Sequence, residues 1–279
     1  MALKFRKMHG LGNDFVIIDT RNQGVSNLSA LAKQVACRRF GVGCDQAIFL
    51  RKSDNADIYM GIYNPDGSEA GMCGNAARCV GDIILKENNT DKITIETVSG
   101  LLSCVRANDN LVTVDMGEPR LEWQQIPLAS ECDTKFVPIK LPTSSENDDS
   151  ENLPVCVSMG NPHTVFFVGA GVEEFQVSEI GPQIEKNALF PQKTNVEFVH
   201  VKDRQTLRMR VWERGTGITL ACGSGACASA VAAMRRSYTD RKVTVQMDGG
   251  DLQIEWRESD NHVYMTGPVS YSFDGEMQS

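Results

Sequence analysis

Cys73-Gly74-Asn75-Ala76-Ala77 and Cys222-Gly223-Ser224-Gly225-Ala226 are two copies of one device, a cysteine followed by glycine and small residues, set 149 positions apart. The same offset carries Gln46 onto Asn195 and Asn64 onto Glu213, and Gly12-Asn13 meets Gly160-Asn161 one residue out of step. Apolar positions follow it too. Ser29, Leu31 and Val35 map onto Ser178, Ile180 and Ile184, while Ile58, Met60, Ile62 and Tyr63 map onto Leu207, Met209, Val211 and Trp212. Polar and apolar residues repeating together predict an internal duplication, hence two α+β lobes with a small-ligand site in the cleft between them.

Strand patterning dominates both halves. Short runs rich in branched or aromatic residues, bounded by turn residues, predict strands at 15–19, 47–50, 57–63, 92–97, 111–115, 164–168, 195–201, 206–212, 243–247, 252–256 and 263–265. Helical spacing predicts four helices, at 29–40, 76–86, 178–189 and 225–236. The last is almost all Ala, Ser and Cys, so neighbours can approach it from every side, and it reads as a central helix held inside a sheet. The segment 143–152 has no apolar side chain to bury and reads as a surface loop. The lobe boundary is expected near Pro119, giving 1–119 with Cys73 and 120–279 with Cys222, the last strand being free to pack back on the first lobe.

Composition excludes several classes. The net charge of −8, without a basic run, argues against nucleic acid as a partner. No apolar run reaches the roughly 18 residues that a membrane span needs, and the N-terminus lacks the apolar core of a signal peptide, so no membrane role is expected. Nine cysteines form an odd set, which disfavours a disulfide framework and favours the cytoplasm.

Each Cys-Gly pair directly precedes a helix. Unpaired N–H groups and the positive end of the helix dipole favour thiolate there, so both thiols are expected below their ordinary pKa of about 8.5. The glycines let backbone amides reach a ligand, and helix N-termini suit a carboxylate. One such cysteine suggests covalent catalysis. Two in equivalent lobes suggest that one sulfur removes a proton from a carbon while the other returns it from the opposite face, the requirement for inverting a stereocentre.

Lys7-Met8-His9-Gly10-Leu11-Gly12-Asn13-Asp14-Phe15, Asn64-Pro65-Asp66-Gly67-Ser68-Glu69, Met159-Gly160-Asn161-Pro162-His163 and Trp212-Glu213-Arg214-Gly215-Thr216-Gly217 join the two cysteine turns in a set that closely resembles the signatures of diaminopimelate epimerases. The likeness runs from Phe5 to about Pro268, with Ala76 where many members have glycine. It implies two lobes, each a mainly antiparallel curved sheet around a central helix. It implies a homodimeric, cofactor-independent isomerase that interconverts L,L- and meso-diaminopimelate on the route to lysine and peptidoglycan precursors. Cys73 and Cys222 are then the acid and base, and His163 and Glu213 tune their pKa values. The residues that match substrate contacts are Asn13, Gln46, Asn64, Gly74, Asn75, Asn161, Asn195, Glu213, Arg214, Gly223 and Ser224.

These residue types suit that role. Neutral asparagines both donate and accept, which fits a zwitterion, and Arg214 offers a planar fork for a distal carboxylate. Two other readings remain open: a proline-racemase-like enzyme of the same architecture, and a redox module that uses Cys73 and Cys222 as a switchable dithiol. A metal site is disfavoured, because Cys79 and Cys227 follow the turn cysteines by six and five positions and no histidine adjoins them. Both are expected in the core. Gly223-Ser224-Gly225 lacks the third glycine of a dinucleotide fingerprint.

Overall fold

The computed structural model describes residues 2–108, 110–141, 153–169 and 171–278; the polar segment 143–152 lies outside them. The chain divides into two compact units, Met1–Asp115 with Thr266–Ser279, and Met116–Met265.

Unit 1 contains β1 (Ala2–Gly10), β2 (Asn13–Asp19), α1 (Leu28–Ala36), β3 (Gln46–Arg51), β4 (Ile58–Tyr63), β5 (Glu69–Ala70), α2 (Gly74–Glu87), β6 (Lys92–Thr97), β7 (Gly100–Asn108) and β8 (Leu111–Asp115). Unit 2 contains β9 (Val155–Ser158), β10 (Pro162–Phe167), α3 (Val177–Glu185), β11 (Asn195–Asp203), β12 (Thr206–Glu213), β13 (Gly217–Ile218), α4 (Gly223–Arg235), β14 (Lys242–Met247) and β15 (Gly250–Trp256). The unit boundary falls within β16 (Val263–Pro268), and β17 (Ser270–Gln278) belongs to unit 1.

The duplication is written into the strand registers. Ala47 opposes Tyr63 across the antiparallel β3–β4 pair, and Val196 opposes Trp212 across β11–β12, so both partners shift by 149. Phe15 pairs with Gln46 in the parallel β2–β3 ladder, as His163 pairs with Asn195 in β10–β11. Most pairs in both units are antiparallel. Among the described pairings, the parallel ones, β2–β3 and β4–β6 in unit 1, β10–β11 and β12–β14 in unit 2, are those joined through α1, α2, α3 and α4, since a parallel pair needs a long crossover.

The packing repeats as well. Ala32, Val35 and Ala36 of α1 pack on Val16, Ala47 and Phe49, while Ile180 and Ile184 of α3 pack on Phe166, Val196 and Phe198. Phe49 and Phe198 are equivalent residues, each buried. Full burial of such a side chain contributes roughly 1.5–3 kcal/mol. The central helices are enclosed: in α4 every residue from Gly225 to Ala233 is buried, as the small side chains predict. Cys79 and Cys227 lie in these cores with no exposure.

Helix ends differ from expectation. α1 stops at Ala36 because Cys37 turns extended (ψ 114°), and the Val35 carbonyl then accepts from Val42 and Gly43. Residues 38–40 thus leave the helix, and Arg38 reaches Asp14 and Asp45 instead. α3 ends at Glu185, four residues short of the expected 189. The strands β1, β5, β7, β9, β13 and β17 lie outside the expected strands.

Candidate active site

Cys73 and Cys222 occupy the same backbone position, the N-cap. Both are extended (φ −144°, ψ 108° and φ −117°, ψ 108°), and the carbonyl of each accepts an N–H four residues on, from Ala77 and Ala226, at 2.9 Å. Each sulfur therefore stands at the N-terminus of an enclosed helix, where first-turn amides lack intrahelical partners.

In unit 1, the partly buried Cys73 thiol lies 3.7 Å from Oδ1 of Asn13, and Asn75 Nδ2 donates to the same oxygen at 3.2 Å. Asn13 directly follows a two-residue turn, Leu11-Gly12, in which both residues have positive φ (57° and 85°), the type I′ geometry that suits a hairpin. Its Nδ2 donates to Asp45 at 3.0 Å, and the backbone N–H of Asp14 donates to the same carboxylate oxygen. Arg38 pairs with both acids at 2.7 Å, and Lys7 pairs with Asp14 at 2.5 Å. Burial raises the Asp14 carboxyl, but Arg38 and Lys7 outweigh it and hold the group near 2. Gln46 and Asn64 form a separate pair, Gln46 Nε2 donating to Asn64 Oδ1 at 3.0 Å and Asn64 Nδ2 to Ser68 Oγ at 3.1 Å.

In unit 2, Cys222 Sγ accepts the Gly225 N–H at 3.4 Å and lies 3.6 Å from Ser224 Oγ. Asn161 Nδ2 donates to Ser224 Oγ at 3.3 Å, and its Oδ1 is 3.0 Å from His163 Nε2. Asn195, at the start of β11, spends its amide within the fold: Nδ2 donates to the Pro162 carbonyl and Oδ1 accepts the Arg214 N–H, each at 2.9 Å. It thereby ties the turn of Asn161 to that of Arg214, whose guanidinium donates to the Gln192 carbonyl. Glu213 accepts a hydrogen bond from Thr219. Burial pushes its carboxyl up, opposed by bonds from Thr219 and Cys222 and by His163.

The expected lowering of the thiols is reversed at Cys222. Burial, then the nearby Glu213 and Glu197, push it well above the ordinary thiol range, outweighing Ser224 and the Gly225 N–H. Desolvation of a thiolate costs more than one helix N-terminus returns.

Two acidic residues escaped the sequence reading. Asp45 orients Asn13, and Glu197 lies behind His163 with Oε1 2.6 Å from Nδ1. A signal for Glu197 existed: it follows Asn195 by two within a strand, so both side chains share one face.

Solved structures with this fold include a Bacillus anthracis phenazine biosynthesis protein of the PhzF family (TM-score 0.74, 17% identical, 100% of each chain covered). A hydroxyproline epimerase from Agrobacterium vitis with bound trans-4-hydroxy-L-proline also shares it (TM-score 0.65, 14% identical, 99% and 92% covered). The class is thus the two-lobed, internally duplicated fold common to PhzF proteins and proline racemases. A family model described as diaminopimelate epimerase matches residues 5–122 and 155–272. Diaminopimelate epimerases from Methanococcus maripaludis (49% identical) and Rhodospirillum centenum (48%) align over 99% of this chain and 99% and 93% of their own lengths. The chain belongs to the diaminopimelate epimerase family and is an isomerase of the epimerase type.

Proposed function

We propose that the protein epimerises diaminopimelate at one α-carbon between Cys73 and Cys222, one as thiolate removing the α-proton and the other as thiol protonating the opposite face. Each turnover exchanges the protonation states of the two sulfurs, so the reverse reaction starts from the product state. The observation that carries this reading is the pair of equivalent N-cap cysteines on α2 and α4 in two units of matching register. Burial and neighbouring carboxylates favour Cys222 as the proton donor in the free enzyme.

The substrate's reacting carboxylate takes the first-turn amides of Gly74, Asn75, Gly223 and Ser224, which stabilise charge as it develops on the carbanion. Asn13, Gln46, Asn64 and Asn161 provide neutral donors and acceptors, Asn195 acts by holding the turns of Asn161 and Arg214 in place, Arg214 takes the distal carboxylate, and Glu213 takes an ammonium group. His163 and Glu213 set the acidity of Cys222. The proposal extends to a cytoplasmic homodimer, whose dimeric state light scattering of the purified protein tests; a monomer at working concentration removes that part.

Turnover in deuterium oxide is the direct test of the chemistry. Inverted product should carry one α-deuterium, and Cys73→Ala and Cys222→Ala should each abolish inversion in a folded protein. Inverted product without α-deuterium, or an alanine variant near full activity, overturns the two-base scheme.

A further inference from the structure

Behind Cys222, unit 2 buries an acid to which the two-base scheme assigns no task. Glu197 lies on β11 between Val196 and Phe198 with no exposure. A carboxyl group in such a place carries a large desolvation cost, and at the equivalent position of unit 1 the chain places Ile48. Oε1 is 2.6 Å from Nδ1 of His163, itself wholly buried, and Oε2 has no hydrogen-bond partner among the described residues.

The contacts beyond His163 settle which way the imidazole points. Asn161 gives Nδ2 to Ser224, so its oxygen faces Nε2 at 3.0 Å, and Nε2 must carry a proton. Ser224 Oγ then stands 3.6 Å from the Cys222 sulfur. Four contacts thus run Glu197, His163, Asn161, Ser224, Cys222. The two ends also border one position on α4: a Cβ built on Gly225 would lie 2.9 Å from Glu197 Oε1 and 3.2 Å from Cys222 Sγ.

We propose that Glu197 is a positioning residue of the epimerisation: it locks the His163 ring with Nε2–H toward Asn161, and so fixes Asn161 and Ser224 around the Cys222 sulfur. Without that carboxyl group, nothing on Nδ1 selects the tautomer. The amide of Asn161 is then released to flip, and Ser224 loses its donor. Burial raises the Glu197 carboxyl, which favours a shared proton on the Oε1–Nδ1 line. The inference rests on Cys222 being one of the two acid–base groups.

The test uses Glu197→Ala, Glu197→Gln, His163→Ala and the Glu197→Ala/His163→Ala double variant of the full chain, with Cys222→Ala alongside. Glu197→Ala should lower kcat about 100-fold, the scale of a misplaced acid–base group, while KM moves less than about threefold. Glu197→Gln should recover much of that loss, since an amide N–H can donate to Nδ1 and keep the proton on Nε2. The loss should vanish on the His163→Ala background, because Glu197 acts through the imidazole. Near-native kcat in Glu197→Ala, an undiminished loss in the double variant, or equal damage from Ala and Gln overturns the proposal. If Glu197→Ala does not fold, the isosteric Gln variant decides, by whether the ¹⁵N spectrum of His163 still shows a protonated Nε2. An active Cys222→Ala variant sinks the two-base reading itself, whereas an inert one beside an active Glu197→Ala removes only the role of Glu197.

Discussion

The thiol of Cys73 lies 3.7 Å from the side-chain oxygen of Asn13, and in unit 2 the thiol of Cys222 lies 3.6 Å from the side-chain oxygen of Ser224. One backbone position therefore meets a different polar side chain in each unit. Where unit 1 places Phe15 and Ile48, unit 2 places His163 and Glu197, both wholly buried. The duplication supplies the scaffold, and these substitutions give unit 2 a buried imidazole–carboxyl pair behind Cys222.

Asn13 is the first point at which that scaffold can be tested. Its oxygen receives Cys73 and Asn75, and its Nδ2 is anchored on Asp45. Asn13→Ala should reduce kcat about 100-fold, the magnitude of a lost acid–base alignment, with a stability change of about 1 kcal/mol for one hydrogen-bonded side chain. Asp45→Asn should fall between wild type and Asn13→Ala, because its amide still offers one oxygen to Asn13. Steady-state kinetics with thermal denaturation checks both; a fully active Asn13→Ala would remove Asn13 from the site.

Gly225 and Ala76 are equivalent by the repeat, yet their substitutions should differ in kind. Alanine in place of glycine inside a helix usually stabilises by about 0.5–1 kcal/mol. At 225 the new Cβ would meet Glu197 Oε1 at 2.9 Å and Cys222 Sγ at 3.2 Å, and overpacking costs about 1–3 kcal/mol. Gly225→Ala should therefore lose about 1 kcal/mol net and most of kcat, since the displaced atoms belong to the site. Ala76→Gly should cost similar stability but leave kcat nearly intact. Comparable kcat losses in the two variants would contradict the asymmetry.

Much of this was legible because polar and apolar residues shared one offset, so a single alignment placed the cores, the cysteine turns and Gln46, Asn64, Asn195 and Glu213. In β1 the alternation Leu3-Lys4-Phe5-Arg6 is short and breaks at Lys7, and in β17 the run Tyr271-Ser272-Phe273-Asp274 breaks at Gly275. The charged faces of both are satisfied only across the ladder, where Lys4 and Arg6 pair with Glu276 and Asp274 at 3.6 and 2.8 Å. The expected helix at 29–40 ends at Ala36 because Arg38 is drawn out by Asp14 and Asp45, remote in sequence. The acidity of Cys222 was misjudged for the same kind of reason: an N-cap is local, while the burial and carboxylates that dominate are tertiary.

The buried thiols predict an alkaline limit to stability. Burial pushes Cys79, Cys104 and Cys156 up to about 12 and Cys44 to about 11, and Cys222 is also raised. In the unfolded chain these groups ionise at the ordinary thiol value, about 8.5, so above that pH the folded state holds more protons and stability must fall as pH rises. Stability from this source is complete below about 8.5 and is lost toward 12, by up to about 1.4 kcal/mol per pH unit for each thiol. Urea midpoints under reductant should be flat from pH 7 to 8.5 and drop between 9 and 11, less steeply in Cys156→Ala. A midpoint unchanged to pH 11 would show that the thiols ionise without unfolding cost.

Glu185 should control how Arg214 is presented. The buried carboxylate accepts Trp212 Nε1 at 2.7 Å and the Gly215 N–H at 3.1 Å, thus gripping both ends of the segment that carries Glu213 and Arg214. Removal leaves two donors without their acceptor, and each such loss costs about 1–3 kcal/mol. Glu185→Ala should therefore destabilise by about 2–4 kcal/mol, and Glu185→Gln by roughly half, since an amide retains one accepting oxygen. Because Arg214 is the residue proposed for the distal carboxylate, KM should rise more than kcat falls in both variants. Urea denaturation and initial-rate kinetics separate the two effects. A Glu185→Gln variant with lowered stability but unchanged KM would confine Glu185 to packing and free Arg214 from its control.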